Sequence, residues 1–267
     1  MRFVSPWLLL LILPSCSKAQ TEVSRSPLFE YDPIIAGVDE NGRAYAVVDG
    51  DTIHISFLGS ERKPSTERLT NEDYIEVAEE LGVEPAAIKA VVEIETGRVH
   101  SGFYDIGKPL VNFDLSVFRT YARRNGVDLS KFTRSHSVVF SKPNIKKYGS
   151  YQGGQHARLE KAMEIDSLTA IQGTFWGLFQ LGGFNWKKCG AESPAEFVEK
   201  MSRSERDQLE MFASFIKNSG LLKALRNKDW ATFAKGYNGP SYAAKGYHRR
   251  LAAAYKKYKN SINTLLQ

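Results

Sequence analysis

The chain has 267 residues, of which 42% are hydrophobic and 25% charged, so its composition is that of a folded globular protein and excludes a disordered one. The formal net charge of +6 favours anionic partners, such as cell-wall polymers, membrane headgroups or nucleic acid. The basic residues form no single block, apart from KKYK at Lys256–Lys259 near the end. Charge alone therefore does not select one of these partners.

The N-terminal segment predicts export. An apolar run at Trp7–Leu13 follows Arg2; it is too short to span a bilayer permanently but has the length of a signal-peptide core. LPSC, ending at Cys16, resembles a bacterial lipobox, in which the cysteine is lipidated and starts the mature chain; ordinary signal cleavage nearby is the alternative. We expect residues 1–16 to hold the signal peptide and lipobox, and the lipidated Cys16, as the first residue of the mature chain, to tether the protein to a membrane surface. The protein would then be periplasmic, anchored to the outer membrane, or secreted.

Cysteine and histidine usage predicts neither a disulfide nor a metal site. With Cys16 lipidated, Cys189 has no partner for a disulfide. Cys189 lies in KKCGA, with no second cysteine or histidine at ligand spacing, and we expect a half-buried loop thiol. No cofactor is expected.

Residues 17–68 are predicted to form a tether followed by a small β-rich appendage. The composition is polar and unpatterned to about Pro33. AYAVVDGDTIHISFLG then places two β-branched runs on either side of Asp49-Gly50-Asp51, which is a hairpin signal. A charged linker, ERKPSTER, ends the region at Arg68.

From residue 69 to residue 267 the pattern predicts a mainly α domain. Thr70 with Asp73 begins one helix, Gly82 ends it, and Pro85 begins the next. A small hairpin around Asp105–Pro109 follows, and then another helix. Further helical segments are predicted at about 156–164, after SPAE at 193–196, at 221–225, in DWATFAKGYNGP before an aromatic loop, and at 249–266.

Ile88–Gly97 (IKAVVEIETG) carries the candidate catalytic acid. At 100° per residue, Ile88, Val91, Val92 and Glu95 fall on one helical face, which places a carboxylate within an apolar stripe. Glu93 lies off that face, four residues after Lys89, at the spacing of an exposed ion pair. Apolar surroundings raise the pKa of a carboxyl group, as a general acid requires. The alternative is a structural acid with a buried basic partner.

Three segments in order resemble the lysozyme-like superfamily: a helix ending in Glu95-Thr96, a GLFQ segment ending at Gln180, and the dipeptide Tyr237-Asn238. A closer resemblance is to the N-acetylmuramidase family of phage endolysins, over about Leu69–Tyr258. Its motifs here include the hairpin GFYDIGKP, the YG…Q..RL stretch, FWGLFQLGGFN, QL…F..FI and DWATFAKGYNGP. Each motif is weak alone; together, in this order, they are specific.

The resemblance implies cleavage of the β-1,4 bond between N-acetylmuramic acid and N-acetylglucosamine in peptidoglycan, with Glu95 as general acid. The family usually has a glutamate where this chain has Asp114, one methylene shorter; Asp105 in the hairpin turn is the fallback second carboxylate. The residues expected to bind the substrate are Gln180, Asn238, Tyr237, Trp176 and, by likeness to the family, Tyr148. Phe179 is expected in the core.

Three functions remain open from the sequence. The first is a hydrolase acting on peptidoglycan glycan strands, which we expect to work as a monomer. The second is a lytic transglycosylase, which forms 1,6-anhydro products with one acid and no water. The third is a cell-wall-binding lipoprotein without catalysis. We do not expect a nucleic-acid partner, because export separates the protein from it and no basic-aromatic stripe is present.

Overall fold

The computed structural model describes residues 65–97 and 100–265, except for the side chains of 262–265. It also describes the backbone of three short strands that precede residue 55. The signal segment, the lipidation site Cys16 and the polar tether all lie outside the described residues. Those three expectations therefore stay predictions.

The three N-terminal strands form an antiparallel sheet: β1 (Gly37–Val38), β2 (Ala44–Val48) and β3 (Asp51–His54). Val48 is opposite Asp51, so the predicted hairpin is confirmed. The boundary at residues 68 and 69 stays a prediction.

Two helices open the helical part, and their ends are set as predicted. α1 (Asn71–Leu81) has a capping box between Thr70 and Asp73, and Gly82 ends it with a left-handed φ of 60°. α2 (Pro85–Thr96) begins with proline, whose missing N–H costs nothing in the first turn.

Two small antiparallel sheets follow α2. β4 (Phe103–Asp105) and β5 (Lys108–Pro109) form the predicted hairpin. β6 (Val111–Phe113) pairs with β7 (Thr174–Trp176), and β7 pairs with β8 (Leu181–Gly182). This second sheet was not predicted, because it joins segments about 60 residues apart in sequence.

The remaining described elements are helical. The α-helices are α3 (Leu115–Arg124), α4 (Ser137–Phe140), α5 (Ile145–Tyr148), α6 (Tyr151–Met163), α7 (Ser167–Gln172), α8 (Pro194–Arg203), α9 (Glu205–Asn218), α10 (Leu222–Arg226), α11 (Trp230–Asn238) and α12 (Tyr247–Leu265). Short 3₁₀ turns occur at Leu129–Phe132, Gly183–Asn185 and Pro240–Tyr242. None of the helices within residues 65–97 and 100–265 has the length and apolar character needed to cross a bilayer.

One hydrophobic core joins these elements. Its largest fully buried side chains include Phe118, Phe179, Phe197, Phe212 and Phe233. α2 packs most extensively against α12, where Leu251 is 1% exposed, and also against α1. The result is the mainly α, lysozyme-like α+β architecture expected from the sequence, and it fixes the end of α2 between α11 and α12.

Candidate active site

Glu95 lies in the last turn of α2, on the face that the periodicity predicted. Ile88, Val91 and Val92 on that face are at most 3% exposed, and Glu95 itself is half-buried. Gly97 ends the helix with φ 59°, a backbone conformation that favours glycine. The helix therefore holds the carboxyl group at the edge of the core rather than in open solvent.

The carboxyl group of Glu95 has a neutral partner. The Nδ2 atom of Asn238 donates a hydrogen bond of 2.9 Å to Glu95 Oε1. Burial raises the pKa of Glu95 to about 7, although the Asn238 hydrogen bond and the positive charge of Arg250 both act to lower it. Among the described residues, no basic side chain forms an ion pair with this carboxylate; the side chain that contacts it is the Asn238 amide. Near neutral pH a substantial fraction of Glu95 is protonated and can donate a proton.

Glu93 has a different environment from Glu95, as predicted, but not the predicted partner. Its Oε2 lies 2.7 Å from Lys257 Nζ of α12, while Lys89 Nζ donates to Asn71 Oδ1 at 2.6 Å. Burial acts to raise the pKa of Glu93, but hydrogen bonds from Lys257 and Tyr258 leave it below its usual range. The predicted i,i+4 ion pair between Lys89 and Glu93 is wrong, because each side chain contacts a residue of a neighbouring helix instead.

Tyr237 and Asn238 form the last turn of α11, where a loop was expected. The Tyr237 ring stacks on Phe233 at 5.3 Å, and its hydroxyl donates to the carbonyl of Phe179 at 2.7 Å. Tyr237 thus ties α11 to the turn that contains Gln180. This contact gives it a positioning role in addition to the sugar packing expected from the sequence.

Gln180 sits in a strained turn. It is half-buried and has φ 46°, which non-glycine residues rarely adopt, and its Nε2 donates to the Gly177 carbonyl at 2.9 Å. Such strain persists where the surroundings hold it, often at functional sites. Asn238 bonds Glu95, and its neighbour Tyr237 bonds Phe179, the residue before Gln180. The three predicted substrate-binding residues Gln180, Tyr237 and Asn238 therefore lie in one region with Glu95.

Gln208 of α9 is a positioning residue that sequence reasoning did not assign. It is fully buried, and its Oε1 accepts from the Leu178 amide at 2.7 Å. Its Nε2 donates to Met201 O at 2.7 Å and to Gly102 O at 3.4 Å, while Glu205 Oε1 accepts from Gly102 N at 2.7 Å. α9 therefore holds both the start of the hairpin and the Gly177–Gln180 turn. The only signal in the sequence was the match of this stretch to a family motif.

Both candidates for the second carboxylate have local backbone partners. Asp114 caps α3, where its Oδ1 accepts from Ser116 N at 2.8 Å and from Val117 N at 3.0 Å. Asp105 is exposed and accepts from Ile106 N at 2.8 Å, as turn aspartates often do. No hydrogen bond within the described part of the chain joins either carboxylate to Glu95.

The prediction that Trp176 packs against sugar is wrong, because its side chain is buried. It is 2% exposed, packs edge-on against Phe197 at 6.2 Å, and donates its indole N–H to Ile171 O at 3.2 Å. It ends β7, where Thr174 and Trp176 face the core and Phe175 between them is more exposed. Phe179 is in the core, as expected.

Tyr148 is half-buried at the end of α5. Exposed apolar side chains occur in the hairpin, at Tyr104 (44% exposed) and Ile106, and close to Tyr148 in sequence, at Ile145 and Tyr151. The Tyr104 ring stacks on His156 at 5.8 Å, and its hydroxyl accepts from Ser150. His156 of α6 therefore supports the exposed Tyr104 ring of the hairpin.

Two residues at the start of α12 were also missed. The Arg250 guanidinium lies over the Tyr247 ring, 5.6 Å from its centre. Burial and the neighbouring charge of Glu95 raise the pKa of the Tyr247 hydroxyl. One feature of the stretch KGYHRRL could have pointed to them: it places two arginines in the first turn of a predicted helix. Cations are disfavoured there, so a role other than helix stability is indicated.

Cys189 is buried rather than half-buried, and burial raises the pKa of its thiol to about 12, which makes it an unreactive core residue. Within residues 65–97 and 100–265, no three His, Cys, Asp or Glu side chains converge to hold a metal ion.

Comparison with known proteins places this geometry in a family. The model of the N-acetylmuramidase family matches residues 84–259. The crystal structure of an endolysin from Burkholderia phage AP3 is 30% identical in sequence, covers 76% of each chain and superposes with a TM-score of 0.59. No curated protein matches the chain. The chain belongs to the N-acetylmuramidase family and is a glycoside hydrolase that degrades peptidoglycan.

Proposed function

We propose that this enzyme cleaves the β-1,4 bond between N-acetylmuramic acid and N-acetylglucosamine, with Glu95 as the general acid. The observation that carries the proposal is the state of Glu95: a carboxyl group at the edge of the core, contacted by the Asn238 amide, with its pKa raised to about 7 by burial. Such a group is still about half protonated near neutral pH, where an ordinary glutamate has lost its proton.

Glu95 would donate its proton to the glycosidic oxygen as the bond to the sugar carbon breaks. The leaving sugar departs as an alcohol, positive charge develops on the other ring, and Glu95 becomes a carboxylate. Water then adds to the ring carbon and releases a proton, which returns the acid to its starting state. Asn238 favours the carboxylate formed in this step, because its N–H donates to Glu95 Oε1.

Glu95→Gln tests the acid, because glutamine keeps the shape and can still accept the Asn238 hydrogen bond. We expect the variant to fold and to lose release of reducing ends from purified sacculi by at least about 10²-fold. Glu93→Gln is the matched control on the same helix, since Glu93 faces Lys257 instead. Equal activity of wild type and Glu95→Gln would refute the role of Glu95.

The same digest separates hydrolysis from transglycosylation. A hydrolase releases muropeptides with a reducing end, and a lytic transglycosylase releases 1,6-anhydro products that are one water lighter. We expect the heavier products in the mass spectrum. Anhydro products alone would refute the hydrolytic course and leave the role of Glu95 intact.

We propose Asp114 as the second carboxylate, which would activate the water or stabilise positive charge. Asp114→Asn separates this role from capping, because asparagine caps a helix as well as aspartate does. We expect stability to stay near wild type and activity to fall at least tenfold. Asp128→Asn, at another aspartate cap, is the control. Full activity of Asp114→Asn would leave Glu95 as the sole catalytic carboxylate.

We also propose that the enzyme reaches its substrate by export and lipidation at Cys16. The LPSC segment supports this proposal. Cells that express the full chain should incorporate an alkyne fatty acid into it, and Cys16→Ala should abolish the labelling and release the protein from the membrane fraction. Labelling that survives Cys16→Ala would refute this site.

A further inference from the structure

Arg250 and the adjacent Arg249 have no acidic partner among the described residues, unlike Lys257 and Lys259 further along α12, and of the two arginines Arg250 is the one whose guanidinium lies over the Tyr247 ring. Lys257 is paired with Glu93 at 2.7 Å, and Lys259 with Glu84 at 3.1 Å. Within residues 65–97 and 100–265, no Asp or Glu oxygen lies within ion-pair distance of Arg250, which is exposed. The end of α12 nearest Glu95 therefore presents an unneutralised guanidinium.

The position of Arg250 is unfavourable for the helix itself. Tyr247 begins α12, so Arg250 lies in the first turn of a 19-residue helix, and no acidic residue occupies that turn. A cation there meets the positive end of the helix dipole and gains nothing for stability. The usual reason for an exposed arginine on a helix, a stabilising ion pair or a favourable dipole contact, does not apply.

The guanidinium is nevertheless oriented. It stacks over the ring of Tyr247 at 5.6 Å, which restricts its freedom and leaves its N–H donors available for a ligand. Tyr247 is half-buried beside the acid site, and the positive charge of Arg250 lowers the pKa of Glu95. Because α12 packs on α2 and the charge of Arg250 acts on Glu95, the Arg250 guanidinium lies on the side of α12 that faces the Glu95 site.

Peptidoglycan carries anions at that place, whereas a neutral glycan does not. Muramic acid bears a lactyl ether that ends in a carboxyl group, either free or joined through an amide to a stem peptide that has carboxylates of its own. An arginine fork binds a carboxylate through two parallel hydrogen bonds. The chemistry on the enzyme thus matches the substituent that distinguishes muramic acid from N-acetylglucosamine.

We propose that Arg250, held on the Tyr247 ring, binds a carboxylate of the muramic-acid substituent and thereby selects peptidoglycan over uncharged glycans. The inference rests on the proposed cleavage at Glu95 and adds a specificity determinant to it. Arg250 acts on the substrate and takes no part in proton transfer.

The experiment compares Arg250→Gln with wild type on glycan strands whose carboxylates are either native or converted to methylamides with carbodiimide. Two native substrates separate the sources: strands stripped of peptide carry only the lactyl carboxylate, and strands with stem peptides carry only peptide carboxylates. Rates are measured at about pH 5, where Glu95 is protonated in both proteins, so that its changed pKa does not enter kcat. Arg249→Gln, a neighbouring exposed arginine, is the control for charge alone.

We expect Arg250→Gln to raise KM about fivefold on one of the native substrates, with kcat within about twofold, since an exposed ion pair contributes about 1 kcal/mol. On methylamide strands the variant and wild type should have the same KM. Arg250→Lys should restore part of the affinity, and Arg249→Gln should behave as wild type.

An equal loss on native and methylamide strands, or an equal loss with Arg249→Gln, would overturn the proposal. Wild type that cleaves no strand would refute the proposed function instead. Sedimentation of the same strands with wild type and Arg250→Gln would then still test Arg250, because a carboxylate contact must weaken binding when it is removed. Thermal melts of each variant show whether the fold is kept.

Discussion

The raised pKa of Glu95 predicts a specific dependence of stability on pH, which Glu95→Gln should remove. The folded protein binds a proton at Glu95 up to about pH 7, whereas the unfolded chain releases it near 4.5. Between these values the native state holds more protons than the unfolded state, so stability falls as pH rises. The contribution of Glu95 is fully present below pH 4.5 and is lost above about pH 7.

The magnitude follows from the two pKa values. The interval from 4.5 to about 7 corresponds, at 1.36 kcal/mol per pH unit, to about 3 kcal/mol of unfolding free energy. Glutamine has no such titration and keeps the contact with Asn238. The free energy of unfolding of Glu95→Gln minus that of wild type should therefore increase by about 3 kcal/mol from pH 4 to pH 8.

The assay is urea denaturation of both proteins in the same buffers at about pH 4, 5.5, 7 and 8, with stability taken from midpoint and slope. All other groups titrate in both proteins, so their effects cancel in the difference. A difference that stays constant within about 0.5 kcal/mol across this range would refute the burial of the Glu95 carboxyl group. Without that burial there would be no physical basis for a general acid at this position.

Three further predictions concern Asn238, Asp114 and Gly177. Asn238→Ala removes a hydrogen bond that favours the carboxylate, so the pH above which kcat/KM declines should move upward from about 7; a downward move would contradict this. Asp114→Ala should lower the unfolding free energy by about 1 kcal/mol in urea titrations while Asp114→Asn leaves it unchanged, and equal losses would contradict capping. Gly177→Ala should lower the unfolding free energy by at least about 1 kcal/mol more than Gly126→Ala does. Both glycines have positive φ, but only at Gly177 would the added Cβ meet a side chain, that of Gln208 at 2.7 Å. Equal urea midpoints of the two variants would contradict this contact.

Local signals in the sequence predicted much of the fold. Thr70, Gly82 and Pro85 set the ends of α1 and α2 as predicted, because capping depends on residues three or four apart. The periodicity of α2 placed Glu95 against the core for the same reason. These features need no knowledge of the rest of the chain.

Contacts between distant segments could not be predicted from local patterns. The sequence predicted that Trp176 is available to a sugar, but the pairing of β7 with β6 directs its ring into the core. Lys89 and Glu93 have the spacing of a helix pair, yet Asn71 and Lys257 from neighbouring helices take their places. Arg250 was missed because its relation to Glu95 exists only after α12 packs on α2. In each case tertiary packing outweighed a weak local preference.

The buried amide of Gln208 has a consequence for how this enzyme can change. One side chain bonds the backbone at both Gly102 and Leu178, and glycine is required at Gly102 and Gly177 because a side chain there would meet the Gln208 amide. The hairpin and the Gln180 turn therefore cannot be remodelled one at a time. Loop exchange with a relative should succeed when both segments and α9 are moved as a set, and should fail when either loop is moved alone.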